Sequence, residues 1–221
     1  MLEISKNLNL IFMAKGIVVK KPSGPDPYGR IMVSDPTDSS GHGITIVSEI
    51  GSIVTYTETN NSAEGDVVDF NYDGKEASGL TTSIKGTVIS GTYQPDITVK
   101  AGESVLLSGA VLNGVLITVN GGILTVINNT VIKGRIVSTV DGSFIAISDG
   151  TAMNGNFEIS GASTFSLKNS TSQGSLVSTG SDYAAVTGCT IKGKLEVLNA
   201  KVCKCSGNTV SGDINTPGCT S

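Results

Sequence analysis

The residues best suited to chemistry in this 221-residue chain are four cysteines, Cys189, Cys203, Cys205 and Cys219, which all lie near its C-terminus. Clustered cysteines can form disulfides or bind zinc. No two of them form a C-x-x-C pair, and the only histidine, His42, lies far away in the sequence. The pattern therefore predicts no metal site, and it leaves Cys189 and Cys219 as candidates for a reactive or cross-linked thiol.

Two glutamates, Glu158 and Glu196, are the second candidate, because paired carboxylates hydrolyse glycosidic bonds. They fall on one outward position of the repeat described below, two coils apart, which predicts a separation of roughly 10 Å. That is wide for a retaining glycosidase and at the edge of the range for an inverting one. We expect no arginine or tyrosine beside them, and the sequence has no phosphate loop, Ser-His-Asp set or metal motif. The sequence thus predicts no enzyme and no cofactor.

A repeat of 19–21 residues determines where these side chains lie. Apolar residues occur two positions before and two positions after a recurring glycine, and an alternating apolar pair follows ten to thirteen positions later. The recurring glycines are Gly114, Gly134, Gly155, Gly174, Gly193 and Gly212. Three apolar positions per repeat predict three short strands per coil, with coils stacked about 4.8 Å apart. The alternative, a β-sandwich or barrel, would not need one constant glycine position per repeat.

The prediction is therefore a single-chain right-handed parallel β-helix of about six coils over residues 83–221. Its inward positions after the glycines are Leu116, Ile136, Phe157, Leu176, Leu195 and Ile214, and its outward positions begin with Ile117. Cys203 and Cys205 fall on inward positions, where small buried hydrophobic residues are expected. A column of threonines (Thr130, Thr151, Thr171, Thr190 and Thr209) is predicted to cap corners; an ice-binding array would usually show two outward threonines per coil.

The N-terminal part has a different pattern. Residues 1–13 are predicted to be an extension, and residues 14–82 contain short apolar runs, KGIVV, RIMV, GITIVSEI and DVVDF, separated by Gly, Pro and Asp. Short strands at this spacing favour a small five-stranded barrel of the oligonucleotide/oligosaccharide-binding type. The whole chain is thus expected to be all-β.

The order of MAKGIVV, Tyr28-Gly29-Arg30-Ile31, GITIVSEI and EGDVVDF resembles a cold-shock domain over about a third of the chain. The resemblance implies single-stranded nucleic-acid binding through stacked aromatic residues. The chain carries Lys20-Lys21 where the family has Trp-Phe, and Ile44, Ile46 and Val47 where the family has Phe, His and Phe. Tyr28 alone remains of the stacking set, so the candidate binding residues are Tyr28, Arg30, Lys20 and Lys21.

The overall organisation, a small barrel followed by a β-helical shaft in about 220 residues, is similar to the central spike proteins of contractile phage tails. That resemblance implies a virion component that docks through its barrel. Three chains intertwine in the shaft of that family, whereas the coil here is predicted to close within one chain. The broader expectation is a virion tail spike, fibre or decoration protein.

Charge and hydropathy limit the partners. The formal net charge is −4; residues 1–85 carry all of it and residues 86–221 are neutral, so neither part has the basic surface that nucleic-acid binding needs. No apolar stretch predicts a membrane span. We expect other virion or assembly proteins as partners, with a homo-oligomer or a partner capping the C-terminal coil. The alternatives are a cell-surface, carbohydrate-binding adhesin module and a cold-shock-like nucleic-acid binder.

Overall fold

The structure, a computed structural model, describes residues 13–35, 49–161 and 163–220. Within these ranges the chain contains strands and no helix, which confirms the predicted all-β class. A five-stranded antiparallel sheet comes first, and a parallel β-solenoid of about seven turns follows, one more than the sequence predicts. The predicted extension and His42 lie outside the described residues, apart from Met13.

The first unit, here called the small sheet, consists of β1 (Met13–Lys20), β2 (Gly29–Asp35), β3 (Ile53–Tyr56), β4 (Val67–Tyr72) and β5 (Ala77–Ile84). Their order in the sheet is β3-β2-β1-β4-β5, with every pair antiparallel. The predicted strand GITIVSEI lies mostly outside the described residues. Strand β3, which follows it, was not predicted.

Both faces of the central strands β1 and β2 are largely buried, which explains their apolar runs. Val18 and Ile31 point into the sheet's own core with Tyr56 and Phe70. Ile17 and its neighbours Val19 and Met32 point to the opposite face, against the second unit. Alternation of side chains along β1 and β2 therefore gives these two strands two apolar faces instead of one.

The second unit, here called the rod, covers residues 86–220. Its strands are β6 (Gly86–Tyr93), β7 (Ile97–Lys100), β8 (Ser104–Asn120), β9 (Ile123–Ile127), β10 (Val131–Val140), β11 (Phe144–Ile147), β12 (Ala152–Met153), β13 (Phe157–Ser160), β14 (Thr164–Lys168), β15 (Thr171–Ser172), β16 (Leu176–Thr179), β17 (Tyr183–Thr187), β18 (Thr190–Ile191), β19 (Leu195–Leu198), β20 (Val202–Ser206), β21 (Thr209–Val210) and β22 (Ile214–Asn215). Each strand pairs in parallel with the equivalent strand of the next coil.

The predicted inward columns are confirmed from β10 onward. Ile136, Phe157, Leu176, Leu195 and Ile214 lie side by side in consecutive coils. All but the last are buried, because Ile214 belongs to the terminal coil. Stacking of like residues at each level gives one continuous apolar core along the rod.

The prediction is wrong by one residue in the earlier coil. Ile117, predicted to point outward, is fully buried and lies beside Ile136, whereas Leu116 is 39% exposed and lies beside Arg135. Strand β10 shifts its register on β8 between Lys133 and Arg135, and this irregularity displaces the column. Both residues are apolar, so hydrophobicity alone cannot distinguish them.

Two different structural requirements explain why glycine recurs at these positions. A Cβ atom on Gly155 would collide with the backbone of Gly134 in the previous coil, and Gly134 itself is packed in the same way against Val115. The same close approach occurs at Gly174, Gly193 and Gly212. Gly114 is not part of this column; it has open space around it and a φ of +70°. Five glycines therefore permit close coil-to-coil packing, and the sixth permits a left-handed backbone.

A separate corner of every coil requires a left-handed residue. In each of these coils, a residue with positive φ lies two positions before the strand that follows the corner, or before the matching position Val111 in β8. The strands are β10, β12, β15, β18 and β21. The residues are Gly109, Asn129, Gly150, Asn169, Gly188 and Gly207. Glycine and asparagine tolerate this conformation best. The NNT, DGT and GCT segments of the sequence thus form the predicted corners.

The small sheet lies along one side of the rod. Ile17, Met32 and Val67 of the sheet pack against Leu106 and Phe144 of the rod, and Ala146 and Ile127 complete this interface. Burial of this apolar surface joins the two units into one body. The main apolar contact of the small sheet is therefore with the side of the rod.

Two polar contacts reinforce this junction. The buried carboxylate of Asp66 accepts hydrogen bonds from the backbone N–H groups of Ala63 and Gly86, both at 2.9 Å, and from Lys85 Nζ at 2.8 Å. Glu49 lies 3.4 Å from Lys168 and 2.8 Å from Lys204 of the rod. Among the described residues, no helix is long and apolar enough to cross a membrane.

Candidate functional site

The basic residues predicted to bind a ligand meet around one acid. Lys20 ends β1, Arg30 lies on β2, and both form ion pairs with Asp26, which the turn between these strands carries. The hydrogen bond from Lys20, with a further one from the backbone N–H of Tyr28, holds the pKa of Asp26 below its usual range. Asp26 therefore stays ionised at neutral pH and offsets part of the positive charge.

The other two predicted residues lie at the edge of this cluster. Tyr28 is 50% exposed, so its ring is accessible to solvent. Lys21 is exposed, and its backbone N–H donates to the Glu64 carboxylate at 3.1 Å. A single accessible ring beside a partly neutralised pair of cations is a weak platform for stacked bases. Sequence reasoning did not include Asp26, although the segment Pro25-Asp26-Pro27 placed an acid between the two basic positions.

Glu158 and Glu196 share one outward column, with Val177 between them, as the repeat predicts. Each glutamate has a basic partner: Arg135 lies 3.1 Å from Glu158, and Lys194 lies 3.1 Å from Glu196. The expectation that no arginine lies near these acids is therefore wrong, because Arg135 reaches across from the preceding coil. The hydrogen bond from Lys194 lowers the pKa of Glu196. A general acid needs a raised pKa, so Glu196 is poorly suited to that role.

A shallow groove of about 350 Å³ runs along this face of the rod. Asn156, Glu158, Ser175, Val177 and Lys194 line it. Amide, hydroxyl, carboxylate and ammonium groups can all hydrogen-bond to a sugar. None of the residues that line this groove is aromatic, so the groove lacks the flat apolar surface that large ligands usually contact.

The predicted threonine column consists of two columns. Thr130 and Thr151 are buried at a corner, and their hydroxyl groups donate to the carbonyls of Ile127 and Ser148 at 2.7 and 2.8 Å, so these two cap corners as predicted. Thr171, Thr190 and Thr209 lie one position further along and are exposed. Only one exposed threonine per coil stands in this second column.

Cys189 continues the buried corner column. It occupies the position of Thr130 and Thr151 in its own coil, is 1% exposed, and lies close to the carbonyls of Leu167 and Thr187. Burial raises the pKa of its thiol. A buried thiol of this kind is poorly placed to react or to form a cross-link.

The other three cysteines lie together on the last coils. Cys203 and Cys205 both point inward from β20, as predicted, and Cys203 forms a disulfide with Cys219. The Cys205 sulfur lies 3.8 Å from that of Cys203 and 3.5 Å from that of Cys219. Burial raises the pKa of Cys205 to about 11. The sequence offered the Cys203-x-Cys205 spacing as a signal, because residues two apart on a strand share a face.

The C-terminal tail folds back onto the end of the rod. Thr220 donates its backbone N–H to the Cys203 carbonyl and accepts from the Cys205 N–H, both at 2.9 Å. The tail therefore covers the exposed edge of β20, next to the disulfide. Strand β22 lies at the end of another face, and its Ile214 is 62% exposed. The last coil is thus capped on one face by the chain itself, and an apolar residue remains accessible on another.

No family model, curated protein or solved structure that was compared with this chain matches it.

Proposed function

We propose that this protein is a non-enzymatic structural component of a larger assembly, in which the rod presents a surface to partners. The preferred setting is a virion, as a tail spike, fibre or decoration protein. The observation that carries the proposal is the joining of a continuous-core rod and a small sheet into one body through a buried apolar interface. A stiff element of this kind suits load bearing and display better than catalysis that needs moving parts.

The charged groups of the described residues support a structural role. Glu158, Glu196 and Asp26 each pair with a basic side chain, and Glu49 pairs with two lysines. Paired surface acids and bases keep a protein soluble and specify orientation, and they need no substrate. Two of the residues expected to bind a ligand on the small sheet, Lys20 and Arg30, are the partners of Asp26.

The accessible end of the rod is the best-supported site for a partner. The terminal strand β22 is short, and backbone groups at a strand edge can pair with another chain. Exposed Ile214 adds an apolar contact at the same place. A partner or a second copy that covers this coil would extend the rod along its axis.

Fractionation of a culture that produces the protein tests whether the protein is part of a virion. An antibody against the full chain would follow the protein through a density gradient that separates particles, cell envelopes and free protein. Co-sedimentation with particles supports the virion proposal. Recovery in the envelope fraction favours the adhesin, and recovery only as free protein contradicts both.

The carbohydrate-binding adhesin remains the second candidate because of the polar groove around Asn156, Ser175 and Lys194. Binding of the intact protein to an array of immobilised glycans tests it. Asn156→Ala and Ser175→Ala variants should then lose the same glycans, whereas Thr171→Ala, which changes an exposed residue outside the groove lining, should not. Absence of any glycan signal that depends on these two residues contradicts this candidate.

A further inference from the structure

The three cysteines at the end of the rod form a compact sulfur cluster. Their sulfur atoms all lie within 4.8 Å of one another. Cys203 and Cys205 share the inner face of β20, and the folded-back tail delivers Cys219. Cys203 is buried, and Cys205 and Cys219 are half-buried.

The spacing around Cys205 matches that of thiolates on one metal ion. Zinc–sulfur bonds are about 2.3 Å long, so two sulfurs on a tetrahedral zinc ion lie about 3.8 Å apart. The Cys205 sulfur is 3.8 Å from that of Cys203 and 3.5 Å from that of Cys219. Only the Cys203–Cys219 pair, joined by the disulfide, must separate to reach the same distance.

We propose that the reduced protein binds one Zn²⁺ ion through Cys203, Cys205 and Cys219, with water as the fourth ligand. All three protein donors are sulfur, which selects thiophilic ions over Mg²⁺ or Ca²⁺. The site lies beside β20, on a different face of the last coils from the exposed strand β22, and it does not depend on the proposed function. It would fasten the tail in a reducing environment as the disulfide does in an oxidising one.

The chemistry requires reduction first. Two molecules of an external low-molecular-weight thiol supply two electrons and two protons, which cleave the Cys203–Cys219 bond and leave two protein thiols and one small-molecule disulfide. Binding of Zn²⁺ then displaces the three S–H protons to solvent, because the thiolate is the ligand.

Cobalt titration of the full chain tests the site. The protein is reduced with an excess of low-molecular-weight thiol, freed of it without oxygen, and titrated with Co²⁺, whose thiolate complexes absorb strongly. We expect a charge-transfer band that saturates at one Co²⁺ per chain and is abolished by Zn²⁺. Cys205→Ser should weaken binding by about 100-fold or more, since even second-shell changes cost 10–100-fold.

Cys189→Ser is the matched control, because the corner column already carries Ser170 and this cysteine lies outside the sulfur cluster. Its cobalt spectrum should equal that of the wild type. Thermal melting of oxidised Cys205→Ser shows whether this variant folds, since it keeps the disulfide. Absence of a charge-transfer band in the reduced wild type, or an equal loss in Cys189→Ser, would overturn the proposal.

Discussion

The rod and the small sheet differ in the sequence separation of the residues that contact each other. Phe157 lies beside Leu176, and Leu176 lies beside Leu195, so each rod contact repeats at the same separation. In the small sheet, Ile17 pairs with Met32 on one side and with Val67 on the other, at unrelated separations. The strand register of the rod is therefore visible in the sequence as a regular period. The small sheet has no such period, and its sequence indicates only the individual strands.

The difference has an energetic consequence. A shift of one residue in the register of a rod strand would turn the side chains of that strand to the other face. The inward columns are thus strongly specified, whereas outward positions tolerate many residue types. In the small sheet, the central strands β1 and β2 bury both faces, whereas strand β5 carries exposed polar residues such as Ser78 and Thr81.

The largest expected effect tests the register of the rod. Leu176→Lys would bury an unpaired charge in the core, and we expect a loss of about 4 kcal/mol or more in the free energy of unfolding. Val177→Lys changes the next residue on the same strand, which points outward between Glu158 and Glu196. It should be neutral or slightly stabilising. Urea denaturation followed by circular dichroism measures both, and equal losses would show that the assigned faces are wrong.

The repeat predicted the rod core well because its signal is distributed over many coils. The prediction failed at Leu116 and Ile117, where a local register irregularity breaks the period and both residues are apolar. It also placed six glycines in one column, although five are required by close packing and Gly114 by a positive φ. Periodicity identifies positions, but it does not identify the physical reason for them.

The contact between the two units was missed, although the sequence carried a sign of it. Leu106, Ile127, Phe144 and Ala146 are apolar at outward positions of the rod, where solvent-facing residues are expected. Such positions indicate a covering surface. The sulfur cluster was less accessible to sequence reasoning, because Cys219 reaches it only through the fold of the tail.

The second effect concerns the junction of the units at Asp66, whose side chain is 1% exposed. Asp66→Ala would leave the N–H groups of Ala63 and Gly86 without their acceptor and Lys85 without its partner. We expect a loss of about 2–3 kcal/mol. Glu103→Ala is a control acid of the rod, and it should cost less than about 1 kcal/mol because its carboxylate is exposed.

Acid should weaken the same junction. Burial raises the pKa of Asp66, but hydrogen bonds from Ala63, Lys85 and Gly86 outweigh it, and the net pKa lies below the ordinary value of 3.8. A lowered folded-state pKa stabilises the protein above the unfolded pKa, and this stability is lost as pH falls through the folded value. Melting temperatures between about pH 6 and pH 2 should therefore fall more steeply in the wild type than in Asp66→Asn. Parallel curves would contradict this role.

An intermediate effect tests close packing as the reason for the recurring glycines. Gly155→Ala would place a methyl group against the backbone of Gly134, and we expect a loss of about 1–3 kcal/mol from overpacking. Gly24→Ala, in the connection between β1 and β2, is the control: its Cβ would meet no atom within 4 Å. It should change stability by less than about 0.5 kcal/mol. Similar losses in both would mean that Gly155 acts through chain flexibility and not through close packing.

The smallest effect tests whether the small sheet binds nucleic acid. Fluorescence titration with oligo-dT should give a dissociation constant in the non-specific range of roughly 10⁻⁴–10⁻⁶ M, and Tyr28→Ala should leave it unchanged. Asp26→Ala sharpens the test, because it frees Lys20 and Arg30 from their shared carboxylate. One more phosphate contact should then tighten binding by roughly two- to fivefold and steepen the salt dependence by about one counterion. Submicromolar binding by the wild type that Tyr28→Ala abolishes would instead establish base stacking at this surface.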